Sequence, residues 1–129
     1  MKNILLILAI ILLGCTKSSE ELNNNIPPEL IGKWKVVEIY SADGGSPASW
    51  SLIKNGFSYI FFENKKVIRD NLQADCIEGN FTIENDNIIY FTFSCISYES
   101  LIENLTNNEL IIDTQNFEPL KYKFLKIID

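Results

Sequence analysis

The chain has 129 residues, with 11 Lys and Arg against 17 Asp and Glu and a formal net charge of −6 at pH 7. That acidity disfavours nucleic acid and anionic membrane surface as partners. Histidine is absent, which removes the commonest general base, the commonest zinc ligand and the usual partner of a nucleophilic serine or cysteine.

Met1-Lys2-Asn3 is a short cationic start, Ile4 to Leu13 is an apolar run of ten residues, and Gly14 precedes Cys15. This is the three-part order of a secretory signal. A membrane-spanning helix needs about 20 apolar residues, and this run instead ends in Cys-Thr-Lys-Ser-Ser-Glu-Glu. Leu12-Leu13-Gly14-Cys15 resembles the lipobox of bacterial lipoproteins, although Leu13 fills a slot that more often holds a smaller residue. The resemblance implies removal of residues 1–14, lipidation of Cys15 and acylation of the new amino terminus. Palmitate-type chains would then anchor the protein to a membrane, each buried methylene contributing about 0.8 kcal/mol. The expected location is the outer membrane of a Gram-negative cell, on its periplasmic face or the cell surface. An uncleaved anchor, or a chance cysteine near an ordinary cleavage site, is the competing account.

Residues 15–28 read as the lipidated cysteine and a flexible tether, since Lys17, Ser18, Ser19, Glu20, Glu21 and Asn23 to Asn25 bring little apolar surface before Pro27-Pro28. Only Lys2 leaves with the signal, so the mature chain carries 10 basic and 17 acidic residues, a net charge of −7. Residues 29–129 form one domain with one core.

From Ile31 onward, short segments rich in Val, Ile, Phe, Tyr and Thr alternate with Asn, Asp, Gly and Ser clusters, an all-β signature. Strands are expected near 33–40, 57–63, 66–70, 77–84, 88–96, 100–105, 109–114 and 119–127. Glu84 to Asn87 and Thr106 to Asn108 mark hairpin turns, and Asn64-Lys65-Lys66 is a weaker third. Ser41 to Asn55 is a long excursion in which Pro47 to Ile53 is read as one helical turn, the kind of loop that serves as a lid or a packed surface.

Cys76 and Cys95 remain as an even pair in an exported chain, which favours a disulfide over two free buried thiols. Hairpin register bears on this. With Asn85 and Asp86 centring the turn, facing residues sum to 171 and the cysteines oppose each other. Matching Ile77, Phe81 and Ile83 with Ile89, Phe91 and Phe93 instead needs a sum of 172 and a left-handed Asn87. A β-bulge between Gly79 and the cysteines would reconcile the two.

Leu30-Ile31-Gly32-Lys33-Trp34-Lys35-Val36-Val37-Glu38-Ile39-Tyr40 opens the domain, and its Gly32-x-Trp34 resembles the entry to the first strand of lipocalins. Gly56 to Phe62, Gly79 to Ile83, Leu105 to Ile112 and Tyr122 to Ile127 are similar, in the same order, to lipocalin-like domains of bacterial lipoproteins. The resemblance implies a small antiparallel up-and-down barrel of about eight strands, with room for side chains or one small ligand. It also implies that Trp34 plugs the closed end, with Lys123 or Lys126 packed nearby. Being shorter than full lipocalins, the chain would make a shallower cup.

Period-two alternation then names a lining. With Trp34 inward, Val36, Glu38 and Tyr40 follow toward the mouth, joined by Phe57, Tyr59 and Phe61, by Phe81, Phe91 and Phe93, and by Leu120, Tyr122 and Phe124. These rings either pack solidly or line a pocket, in which case Glu38 and Tyr40 would orient a ligand. The first functional reading is a membrane-anchored binding protein for a small apolar or amphipathic ligand. The alternative is a cell-envelope interaction or inhibitor module that recognises a protein or glycan through its outer surface and the 41–55 loop. Trp50 separates them: folded over the mouth it favours the first, and displayed outward with Leu52 and Ile53 it favours the second. A hydrolase built on Glu38 lacks an identifiable nucleophile and orienting group. No catalytic residue, cofactor or metal site is expected, and the protein is read as a monomer.

Overall fold

The computed structural model describes residues 26–70 and 76–129. The proposed signal 1–14, the lipidated Cys15 and most of the tether lie outside the described residues. A 3-10 turn at Pro28–Leu30 leads into β1 (Gly32–Ser41), β2 (Ser49–Leu52), β3 (Ser58–Phe61), β4 (Lys66–Asp70), β5 (Glu78–Glu84), β6 (Ile88–Phe93), β7 (Ser97–Leu105), β8 (Glu109–Asp113) and β9 (Leu120–Ile127). All pairings are antiparallel, neighbours in sequence pair through β3 to β9, and β1 pairs with β9. The result is a closed barrel of eight strands, as the sequence leads one to expect, with β2 as an additional strand.

β2 replaces the expected helical turn. Ser49-Trp50-Ser51-Leu52 pairs with Ser41 to Glu38, on the same edge of β1 that pairs with β3 through Gly32 to Lys35. One edge of β1 thus serves two short strands in turn. At the changeover Val36 N–H donates to Phe57 O at 3.0 Å and Ile53 N–H donates to Val37 O at 2.9 Å. Along the other edge the register slips by one residue between Val36 and Glu38, so Val37 is the extra residue of a β-bulge.

That slip corrects two expectations. Beyond a bulge the in-out alternation reverses, so Glu38 and Tyr40 leave the interior and face Lys123 and Lys121 on the outer wall. A second bulge in β7, between Ile102 and Asn104, places Glu103 on the outer wall beside Lys121 and turns Leu105 toward the core.

The two ends differ. At one end the connections are tight turns, as predicted: Lys65, Asn85 and Asp86 take positive φ of 67°, 51° and 66°, and Thr106 Oγ1 accepts the Glu109 N–H at 3.0 Å. The left-handed residues of the β5–β6 turn are therefore Asn85 and Asp86 rather than Asn87. At the other end the connections after β1, β4 and β8 are longer.

The β5–β6 ladder keeps a sum of 172 from Glu84↔Ile88 through Gly79↔Phe93, so the aromatic pattern sets the register. Cys76 and Cys95 lie beyond the ladder and form the disulfide with Cα atoms 5.5 Å apart. The turn residues around them absorb the mismatch, and no bulge at Gly79 is needed. Gly79 has another purpose: a Cβ there would meet Phe93 Cδ1 at 2.6 Å.

Candidate ligand-binding site

The tight-turn end is sealed. Trp34 is fully buried and its indole N–H donates to Leu30 O at 2.8 Å, which stitches the entering 3-10 turn across the barrel floor. Of the two basic residues proposed to pack there, Lys126 does so: its Nζ sits 5.1 Å from the Trp34 ring and donates to Glu29 O at 2.8 Å. Gly32, at φ +127°, takes a backbone conformation that residues with a Cβ rarely adopt, and the Lys126 side chain passes 2.9 Å from where a Cβ would sit.

Above the floor the interior is aromatic. Trp34, Val36, Tyr59, Phe61, Phe81, Phe91, Phe93 and Phe124 are buried, and Phe57 and Tyr122 pack against them. The rings touch in succession: Phe61 and Phe81 meet edge to face at 5.0 Å, Tyr59 stacks on Phe91 at 5.2 Å, and Phe57 meets Tyr122 at 5.3 Å. Such separations leave the barrel's middle filled by side chains. Of the proposed lining, then, all but Glu38 and Tyr40 are in the interior or at its mouth.

The open end carries polar groups absent from the sequence-based lining. Val67 is buried and inward, so Arg69, two residues on, projects inward as well, directly opposite Tyr59. Its guanidinium lies 4.8 Å from the Phe93 ring centroid, and Nη1 donates to Tyr98 Oη at 3.2 Å. Tyr98 Oη in turn shares a hydrogen bond of 2.7 Å with Tyr59 Oη. Arg69 Nε and Ser100 Oγ are buried without a hydrogen-bond partner among the described residues.

Burial holds the Tyr59 phenol well above the ordinary tyrosine range, reinforced by Tyr98 and only partly opposed by Arg69. Tyr122 is raised as well, chiefly by partial burial. Both rings are neutral at pH 7 and supply no counter-charge to Arg69. The only buried polar or charged residues among those described are Ser58 and Ser100, so no acid is buried beside it.

The outer wall has its own cluster. Lys123 pairs with Glu38 and lies 4.8 Å from the Trp50 ring, Trp50 packs on Tyr40 at 5.4 Å, and Lys121 pairs with Glu103 and Asp113. Trp50 is therefore displayed outward rather than folded over the mouth. Leu52 beside it is 82% exposed, whereas Ile53 packs against the core.

Arg69, Tyr98 and Ser100 were missed for different reasons. Val67 already signals the inward phase of Arg69, but a basic residue reads as outward by default. Tyr98 falls in the gap between the strands expected at 88–96 and 100–105, whereas β7 begins at Ser97.

No curated protein matches this chain. Among solved structures, a lipocalin-like protein from Bacteroides uniformis ATCC 8492 superposes with a TM-score of 0.57 at 16% identity, over 77% of this chain and 99% of that one. The profile of the Lipocalin-like domain family matches residues 30–112, from the last residue of the 3-10 turn to the end of β8 but one. With well over half of its length matched, and with the closed barrel and plugged floor described above, the chain belongs to the lipocalin-like domain family.

Proposed function

We propose that the protein is a lipid-anchored, lipocalin-like binding protein that holds a small amphipathic molecule at the open end of its barrel. The asymmetry of the two ends carries this reading. One end is closed by Trp34 and tight turns, and the other gathers Arg69, Tyr98 and Tyr122 above a floor of aromatic rings. A few convergent polar groups over an apolar base are what orient a small ligand. Native mass spectrometry tests this on protein extracted from its own bacterium and on a recombinant Thr16 to Asp129 form. A defined adduct that survives gentle desolvation and leaves on denaturation supports the reading. Its absence from both, where a known lipocalin keeps its ligand under the same conditions, would overturn it.

A second reading, a surface that recognises another envelope protein or a glycan, is favoured by the outward Trp50 and Leu52 on β2, a strand with one unpaired edge. Anchoring through Cys15 at the outer membrane belongs to the same proposal and rests on Leu12-Leu13-Gly14-Cys15. Cys15→Ser should move the protein from the membrane fraction to the soluble fraction, and retention in the membrane would refute lipidation as the anchor.

A further inference from the structure

Among the described residues Arg69 is the one charged side chain that projects into the barrel, and its surroundings leave it underused. A guanidinium offers five N–H donors, of which one, on Nη1, is engaged among the described residues, with Tyr98 Oη at 3.2 Å. Nε is buried and has no partner. The three ion pairs among the described residues, Lys121–Glu103, Lys121–Asp113 and Lys123–Glu38, belong to the outer wall. The guanidinium carbon lies over the Phe93 ring at 4.8 Å from its centroid, and a carboxylate would meet the group through its N–H donors.

An arginine held among aromatic rings with no carboxylate paired to it among the described residues is costly unless something supplies the missing charge. We infer that Arg69 is the head-group site of the barrel, and that its ligand is an amphipathic carboxylate whose oxygens meet the guanidinium beside Tyr98 while its tail lies on the mouth's aromatic rings. This rests on the ligand-binding reading above and adds the ligand's class to it.

Three considerations favour that class. The guanidinium fork matches a planar carboxylate in a bidentate pair. A single arginine neutralises a single charge, and an excess of acids over bases in the chain disfavours a polyanion by long-range repulsion. The phenols complete the head-group site rather than compete for it: the Tyr59–Tyr98 hydrogen bond at 2.7 Å fixes both rings, and burial keeps Tyr59 protonated at neutral pH. Ser100 Oγ, also without a partner and only 1% exposed, adds a second unspent polar atom on the inner face of β7, the strand that supplies Tyr98.

The test compares dodecanoate, dodecanol and dodecyltrimethylammonium, titrated calorimetrically at pH 7 below their aggregation limits. The Thr16 to Asp129 chain is suitable, because every core residue lies between Ile26 and Phe124. Dodecanoate should bind at least about 10-fold more tightly than dodecanol, the scale of a charge-assisted hydrogen bond, and the cationic amphiphile should bind most weakly. Arg69→Gln should abolish the preference for dodecanoate over dodecanol. Circular dichroism establishes that the variant is folded, and the wild-type comparison needs no variant. Equal binding of all three amphiphiles would overturn the head-group site and leave the ligand-binding reading standing. Binding of none, by folded protein freed of any carried-over ligand by denaturation and refolding, would overturn both.

Discussion

A methyl group at Gly79 would sit 2.6 Å from both Phe93 Cδ1 and the Thr92 carbonyl oxygen. The neighbouring strand's backbone cannot retreat as a flexible side chain would, so Gly79→Ala should destabilise by about 1 to 3 kcal/mol, the usual cost of overpacking. Gly45, with nothing within 4 Å of its Cβ position, is the control. There the same change should stay within about 0.5 kcal/mol, and urea unfolding of the two variants reads the contrast. Tyr59 makes a different demand. Its raised pKa, caused first by burial, means that the folded state holds the phenolic proton more tightly than the unfolded state does. The resulting stability is present in full below the unfolded value of about 10 and is lost as pH rises through the higher folded value. Tyr59→Phe gives up the bond to Tyr98, about 1 kcal/mol at pH 7, but removes this alkaline loss. Stability measured from pH 9 to 12 should therefore fall less steeply in the variant, and parallel curves would show that Tyr59 does not govern the alkaline limb.

At the scale of strands, the sequence was most legible where alternation and turn chemistry agreed. Phe81 to Ile83 against Ile89 to Phe93 set the β5–β6 register, and the Asn and Asp residues between them marked the turn. The bulges were illegible because the extra residue carries no chemical signature: Val37 is as apolar as Val36, yet its insertion sends Glu38 and Tyr40 outside. Ser49 to Leu52 alternates like a strand, but Pro47 and the preceding glycines disguised it. The disulfide joins two such elements, linking the connection before β5 to the one after β6 across a separation of 19 residues. Closing a loop of that size restricts the unfolded chain by about 3 kcal/mol. Replacing Cys76 and Cys95 together with serine should lower the unfolding free energy by roughly that amount. If oxidised wild type and the double variant share one urea midpoint, the bond contributes nothing to the stability of the mouth.

Taken as a whole, the barrel is sealed at one end and filled through its middle by rings. Its floor is Trp34, its middle is taken up by Phe61, Phe81 and Phe91, and Tyr59, directly across from Arg69, stacks on Phe91. Because rings fill the barrel's middle, the tail of the proposed ligand would have little depth to enter, and the benefit of a longer tail must run out early. Each methylene newly removed from water contributes about 0.8 kcal/mol, so affinity should climb along a series of straight-chain carboxylates and then level off once added methylenes extend past the mouth into solvent. The plateau can be moved. Phe91 is 1% exposed and touches Tyr59, Phe61, Phe93 and Tyr98, so Phe91→Ala opens a void at the centre of the stack and should destabilise by about 3 to 5 kcal/mol. In the folded variant, calorimetric titration of the same series should show the plateau displaced toward longer chains, because the tail can occupy the volume the ring has left. A plateau at the same chain length in both proteins would mean that the tail never enters the barrel and lies across the outside of the mouth instead.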